Sequence, residues 1–554
     1  MENKTIARTL RLFSQLLDLH EENPFKVRSI ANAAFKVDKL PFLIAQKSLD
    51  EMSVIEGIGK STATKIHELV NTGHIAELDQ ILAETPDGVV EILQIKGIGP
   101  KKVAIIWRDL GIESVGELLY ACNENRLIEA KGFGLKTQEE IIKVIEFRMA
   151  SSGRLLYAKV EQQAETLLKD LQNGFPNNPI SLTGDYRRRL EIIDQLDILL
   201  GLEPSDFKKT TLPNNLNIVL DDKNYVHTDE GISIQFHFCH PADFGWELIR
   251  TTGNTQHVAD LEKKLEGKSI AGKSELEIYA LAGLDFIEPE LREGNAEIVL
   301  AEKHQLPQLI KLSDLKGSLH NHSTWSDGVN TLEEMALFCR DELKLEYLGI
   351  CDHSKSAFYA NGLNELRLAA QHREINELNK KLAPFYIFKG IESDILYDGS
   401  LDYDTGTLAS FDFVVASVHS TLKMTEEKAT ERLIKAIENP YTTILGHPTG
   451  RLLLSRSGYP INHQKVIDAC AANGVVIEIN ANPLRLDLDW RWHQYALEKG
   501  VMLAINPDAH RTDGFFDMHY GILVGRKGRL SAQMCLNAMN LDQIDTFFKN
   551  AKPA

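Results

Sequence analysis

Lys316-Gly-Ser-Leu-His320-Asn-His322-Ser-Thr-Trp-Ser-Asp327 sets two imidazoles and a carboxylate directly behind a short apolar run. The pattern then returns along the chain. His353 follows Tyr347-Leu-Gly-Ile-Cys-Asp352, Glu392 follows Tyr386-Ile-Phe-Lys-Gly-Ile391, and His419 follows Phe413-Val-Val-Ala-Ser-Val418. His447 follows Thr443-Ile-Leu-Gly446, and Asp508 and His510 follow Val501-Met-Leu-Ala-Ile-Asn-Pro507. Seven runs have the length of buried strands: Lys316–Leu319, Tyr347–Cys351, Tyr386–Ile391, Phe411–Val418, Thr442–Leu445, Val475–Ile479 and Val501–Ile505. The segments between them read as helices, the first opened by a Thr331-x-x-Glu334 capping box. Parallel α/β sheets and barrels carry functional groups at the C-terminal ends of their strands. These side chains are therefore expected to converge on a multinuclear metal site.

At 554 residues the chain exceeds one core, and about three or four domains are expected at roughly 150 residues each. Its 43% hydrophobic and 25% charged content is that of an ordinary globular protein. No apolar run nears the ~20 residues of a membrane span, and the polar N-terminus lacks a signal-peptide pattern. The six cysteines form no CxxC pair or disulfide-like spacing. Together these features predict a cytoplasmic protein with no membrane partner. The net charge of −18 is uneven: residues 1–150 carry 19 basic and 22 acidic groups, against 16 and 26 over 151–310. Only the middle block is acidic enough to repel DNA strongly.

Residues 1–150 read as helical throughout and repeat one kind of turn. It occurs as Ile55-Glu-Gly57-Ile58-Gly59-Lys60, as Ile95-Lys-Gly97-Ile98-Gly99-Pro100-Lys101-Lys102 and as Ala130-Lys-Gly132-Phe133-Gly134-Leu135-Lys136. Such turns fit helix-hairpin-helix motifs, whose second helix offers unpaired N–H groups to a phosphate. Gly57, Gly59, Lys60, Gly97, Gly99, Lys101 and Lys102 are the expected contacts, and they carry no base information. The competing reading is a set of ordinary helix C-caps. Residues 155–310 mix strands and helices, with strand-like runs at 196–200, 216–220 and 232–238. Gly267-Lys-Ser-Ile-Ala-Gly272-Lys273-Ser274 matches a phosphate-binding loop in letters, but a charged helix precedes it where a strand is required. It is set aside.

Glu22-Asn-Pro-Phe-Lys-Val-Arg28 with the first hairpin resembles the amino-terminal domain of family X DNA polymerases. That resemblance implies a Schiff-base lysine at Lys65, which needs a depressed pKa. Gly184-Asp-Tyr-Arg-Arg-Arg-Leu-Glu191 through Leu200 resembles the palm of the same family, and 243–246 and 287–293 resemble its thumb. The family's three magnesium-binding aspartates fall here on Gln195, Asp197 and Gln235. Its triphosphate-holding Gly-Ser falls on Gly184-Asp185, and an aromatic pair on Arg250-Thr251. With two carboxylates lost and an anion facing an anion, polymerase activity is expected to be lost or weak. Asp194 stands an odd number of residues from Asp197, so on a strand it faces the other way.

Residues 316 to 554 resemble the polymerase-and-histidinol-phosphatase (PHP) domain, a distorted (β/α)7 barrel with a trinuclear site. The resemblance implies nine ligands: His320, His322, Asp327, His353, Glu392, His419, His447, Asp508 and His510. Three carboxylates offset half the charge of three divalent ions, leaving a pocket suited to phosphate. Imidazole with carboxylate suits manganese or zinc, with iron as an alternative. Asp352 is a candidate for orienting a ligand, and Arg451, Arg485 and Asp487 lie in loops where Arg485 is a candidate phosphate clamp.

The expected architecture is multidomain. Residues 1–80 form a helix-hairpin-helix lyase-like domain, 81–150 a helix-hairpin-helix fingers-like domain, 151–310 an α+β palm and thumb, and 316–554 the PHP barrel. The expected function is DNA repair by metal-dependent 3′-5′ exonuclease action on gapped or 3′-recessed duplex DNA, without sequence preference. Alternatives are a small-molecule phosphatase of the histidinol-phosphate type and an active DNA polymerase. The sequence leaves the oligomeric state open, and a monomer satisfies it.

Overall fold

A computed structural model describes residues 1–95, 97–128, 130–150, 153–207, 223–227 and 232–552. It divides into two compact units, Met1–Glu146 and Phe147–Ala554. No helix among the described residues is long and apolar enough to cross a membrane.

The first unit is built of helices. Asn3–Leu19 packs on Pro24–Lys39, burying Leu10, Phe13 and Leu17 on one side and Ile30, Ala33 and Val37 on the other. The three expected turns share one backbone. Gly57, Gly97 and Gly132 have φ of 89°, 94° and 87°, a region that side chains disfavour. Ile58 and Ile98 are buried between the paired glycines and anchor the first two turns. Gly59 and Gly99 are extended and cap the helices Lys60–Thr72 and Pro100–Ala104.

The second unit opens with a four-stranded sheet: β1 (Ile180–Thr183), β2 (Leu196–Leu200), β3 (Tyr225–His227) and β4 (Ser233–Phe238). Its order is β1-β2-β4-β3, with β2 and β4 parallel and the other pairs antiparallel. The expected strand at 216–220 lies outside the described residues. Thr255–Leu265 is a helix and Ser274 caps the next helix, Glu275–Leu281. The phosphate-loop lookalike thus joins two helices.

Eight short parallel strands follow: β5 (Gly317–Ser318), β6 (Tyr347–Ile350), β7 (Tyr386–Lys389), β8 (Glu392–Asp394), β9 (Val415–Ser417), β10 (Ile444–Leu445), β11 (Val476–Asn480) and β12 (Leu503–Asn506). β5-β6-β7 form one ladder and β8-β9-β10-β11-β12 another. The expected run 386–391 ends as β7 at Lys389, and β8 begins at Glu392, just past the run. A Cβ on Gly390 would lie 2.5 Å from Phe413 Cζ and 2.6 Å from the Ile350 carbonyl, so the chain passes there only as glycine. An isolated parallel bridge, Asn321 to Ala509, links the segments leaving β5 and β12. No continuous ladder closes the two sheets among the described residues. The C-terminal helix Leu541–Ala551 packs Phe548 on Phe413 and Phe388, with ring centroids 4.8 and 5.1 Å apart.

Polar contacts tie the first sheet's surroundings to the strand-and-helix block. Glu191 accepts from Trp490 Nε1 (3.2 Å) and Arg491 Nη1 (3.1 Å). Lys527, fully buried, donates to the Arg188 carbonyl (3.0 Å) and to Glu293 and lies over the Trp490 ring. Removing one partner of a buried ion pair strands the other without water. Glu293 keeps Arg188 at 3.1 Å, so Lys527→Met is expected to destabilise this unit by less than the ~3–5 kcal/mol of a fully stranded partner, seen as a lower melting temperature for its transition.

Candidate metal centre

The loops leaving β5, β6, β9, β10 and β12, with the first residue of β8, bring all nine expected side chains together. None of these side chains is more than 6% exposed. Glu392 stands at the middle. Its oxygens lie 3.3 Å from His320 Nε2, 3.6 Å from His322 Nε2, 3.0 Å from His353 Nδ1, 3.1 Å from His419 Nε2 and 3.0 Å from His447 Nε2. Asp508 Oδ1 is 3.0 Å from His322 Nε2. Asp327 is 3.4 Å from His510 Nε2 and 3.5 Å from His353 Nε2.

Three overlapping groups are each tight enough to hold one ion: His322, Asp327, His353 and His510; His320, His322 and Asp508; and His353, Glu392 and His419. The hydrogen-bond inventory tests the fit. His320 Nε2, both ring nitrogens of His322 and of His353, and Asp327 Oδ2 are buried without a well-directed hydrogen bond, although carboxylates stand near. Buried polar atoms are normally paired, and leaving several unpaired in one pocket is costly. Cations would satisfy them, and the donor set fits divalent ions.

Electrostatics agree with that fit. Burial works to raise the three carboxylates, yet the imidazoles around them hold Glu392, Asp327 and Asp508 well below the usual range. Burial, helped by His510 and His353, pushes His322 down to about 3 and leaves its ring neutral, whereas at His320, His353 and His419 the neighbouring carboxylates overcome burial and raise the rings. His447 and Asp508 have φ of 22° and 54°, uncommon for residues with side chains and typical of functional positions.

The residues behind the cluster differ in part from the sequence expectation. Asp352, the candidate for orienting a ligand, acts on the loop before β6 rather than on the ring of its neighbour His353. It accepts from the Ser323 amide (2.8 Å), Ser323 Oγ (2.8 Å), Ser326 Oγ (2.5 Å) and Gln371 (2.6 Å), so it shapes the loop carrying His320, His322 and Asp327. Two unforeseen carboxylates do the orienting. Glu478 is 2.7 Å from His320 Nδ1 and accepts from the His447 amide (3.2 Å) and the Asn480 and Asn506 side chains (3.1 and 3.0 Å). Asp394 is 2.6 Å from His419 Nδ1. A lone acid within Val475-Val-Ile-Glu-Ile-Asn480 was the available signal for Glu478, because an unpaired carboxylate is rarely buried.

Arg451 is occupied by Asp489 (2.5 Å) and by the carbonyls of Arg485 (2.9 Å) and Leu486. Asp487 accepts from the amide and hydroxyl of Thr449, both 2.9 Å. These two therefore build the loop. After burial, the Arg485 guanidinium is the next cause holding His447 low.

The polymerase-like positions are filled from within. Asp197 pairs in register with Gln235, and its Oδ1 accepts from Gln195 Nε2 (2.9 Å) and lies 2.8 Å from His237 Nε2. Gln235 Nε2 is spent on the backbone carbonyls of Lys223 and Phe236, both 3.0 Å. Asp194 points elsewhere, to Arg154 at 3.1 Å, but it lies outside the strand Leu196–Leu200, so strand parity does not account for it. Asp185 takes Arg188 Nη2 at 2.5 Å, and Arg188 also reaches Glu293 (3.1 Å) and the Thr252 carbonyl (2.7 Å). Arg250 pairs with Glu247 at 2.5 Å, and Thr251 Oγ1 bonds the Glu247 carbonyl at 2.7 Å.

In the helical unit, Lys60 and Lys101 are exposed, whereas half-buried Lys102 lies over the Phe133 ring at 5.3 Å. Lys65 donates to Glu77, which Lys26 also engages. Burial acts to raise Glu77, but the two lysines prevail and lower it. Schiff-base chemistry at Lys65 first requires release from Glu77.

Comparison with known proteins matches this division of the chain. Residues 1–75 fit the family described as a helix-hairpin-helix domain, and 89–146 the SAM-like helix-hairpin-helix tandem. The chain is 33% identical to the DNA polymerase/3′-5′ exonuclease PolX of Bacillus subtilis (strain 168), over 99% of its own length and all of that protein. It is 29% identical to a probable phosphatase of Thermoanaerobacter sp. over 32% of this chain and 73% of the relative. For a probable phosphatase of Acetivibrio thermocellus the figures are 28%, 42% and 95%.

Proposed function

The chain belongs to the PolX family of DNA polymerase/3′-5′ exonucleases, and on that footing we propose that it trims DNA 3′ ends during repair by metal-dependent phosphodiester hydrolysis. The observation that carries the reading is Glu392 ringed by five imidazoles within 3.6 Å. Strands β5 to β12, with β7 and β8 counted as one broken strand and the Asn321 bridge as closure, read as the distorted seven-stranded PHP barrel. The nine side chains would hold three divalent ions, manganese or zinc, with iron as the alternative. When bound, such ions polarise the phosphoryl group and supply a water acidic enough to attack near neutral pH.

The chain's own residues do the rest. Glu478 and Asp394 fix the tautomers of His320 and His419 so that each presents its Nε2 inward. Arg485, beside His447, is the cation placed for a non-bridging phosphate oxygen. The palm and thumb segment 151–310 no longer transfers nucleotides. Residues 1–80 and 81–150 grip duplex backbone through Gly57, Gly59 and Lys60 and through Gly97, Gly99, Lys101 and Lys102, without reading sequence, at gapped or 3′-recessed sites.

A gapped duplex labelled at the primer's 5′ end is expected to shorten stepwise with manganese and to stop on chelation. Release of phosphate from histidinol phosphate with no shortening of DNA selects the phosphatase instead. Glu478→Ala frees the His320 ring and the His447 backbone together. Outer carboxylates of this kind are worth about 10–100-fold in metal affinity, so equilibrium dialysis should find the ions bound that much more weakly.

A further inference from the structure

The loop that leaves β6 carries His353 into the centre and then returns through Phe358 to Leu363. Phe358 is 89% exposed and Leu366, just past the loop, is 83% exposed. The next residue after Phe358, Tyr359, sets its ring 6.1 Å from that of His353. The loop is not slack. Leu363 N–H bonds the His353 carbonyl at 2.8 Å, Gly362 N–H bonds Ala357 O at 3.0 Å, and Arg367 donates to the carbonyls of Asn361 (2.5 Å) and Gly362 (3.2 Å). Ser356 Oγ donates to Asp394 at 2.9 Å, the same carboxylate that holds His419. An aromatic ring is thus held in water by a braced loop tied at two points to the metal-centre residues. Folding alone gives no reason to brace an exposed ring. A nucleobase gives one, since bases stack on rigid aromatic side chains whatever their identity.

Resting on the exonuclease reading above, we propose that Phe358 is a stacking platform for a base at the 3′ end of the strand entering the centre. Phe358 makes this contact sequence-neutral and dependent on the presence of a base. One stacked base is worth ~1–3 kcal/mol, or about 5–150-fold in binding.

The test uses the full-length protein with manganese and two gapped duplexes, one with a normal primer strand and one whose primer strand is abasic at its last three 3′ positions. Phe358→Ala is expected to lower kcat/KM on the normal strand within that range and to leave the abasic strand unchanged. Phe358→Trp should keep wild-type behaviour, and metal content should not move in either variant. Equal losses on both strands, or none on either, overturn the platform while leaving the nuclease intact. A wild-type protein inert on both strands overturns the nuclease reading and the platform with it.

Discussion

His320→Ala abolishes 3′-end trimming, with an expected loss of about a thousandfold or more. His320 Nε2 faces both Glu392 and Asp508, and its Nδ1 is fixed by Glu478, so one ring serves two carboxylates of the cluster at once. Alanine leaves Glu392 and Asp508 buried with one partner fewer. Lewis-acid stabilisation of a phosphoryl transition state amounts to several kcal/mol, and each 1.36 kcal/mol is tenfold in rate. Two readouts belong together: the rate of shortening of a labelled gapped duplex, and the metal content of the purified variant. Trimming that survives at the wild-type rate would falsify the assignment of the centre.

The second large effect concerns the other half of the chain. Offered the same gapped duplex, manganese and all four deoxynucleotides, the protein is expected to lengthen no primer. Two-metal nucleotidyl transfer needs clustered carboxylates, and here Asp197 stands between Gln195 and Gln235 with its Oδ1 already engaged by Gln195 and His237. Asp185, at the position that holds the triphosphate in the family it resembles, is a carboxylate and engages Arg188, which Glu293 also holds. Losing a two-ion clamp worth several kcal/mol costs about a thousandfold or more. Gln195→Asp with Gln235→Asp leaves Asp185 on Arg188, so extension is expected only once Asp185→Ser is added. Robust extension by the wild-type protein, abolished by Asp197→Ala, sinks this account.

Most of the candidate metal centre was legible because strand polarity is a local property. His320, His353, His419, His447 and Asp508 each follow an apolar run, and parallel strands deliver whatever follows them to one rim. The glycine turns were legible for a similar reason, since Gly57, Gly97 and Gly132 take backbone angles that the residue type alone permits. Less was legible where an apolar run hid a break. The stretch 386–391 reads as one strand, yet β7 ends at Lys389 and Glu392 opens a separate strand. Phe411–Val418 likewise shortens to a strand of three residues.

Order along the chain determined by itself the α/β block, the helical start with its paired-glycine turns and the converging side chains, while the gaps in the polymerase-like triad were legible only through a family resemblance. It did not determine which acids support the cluster. Asp352, next to His353 in sequence, turns to Ser323 and Ser326, whereas Glu478, 158 positions from His320, holds its ring. Nor did it reveal that His237 closes on Asp197, or that Lys65 is tied to Glu77. Those were decided by tertiary structure alone, because a hydrogen bond forms between atoms about 3 Å apart in space and takes no account of how much chain lies between them.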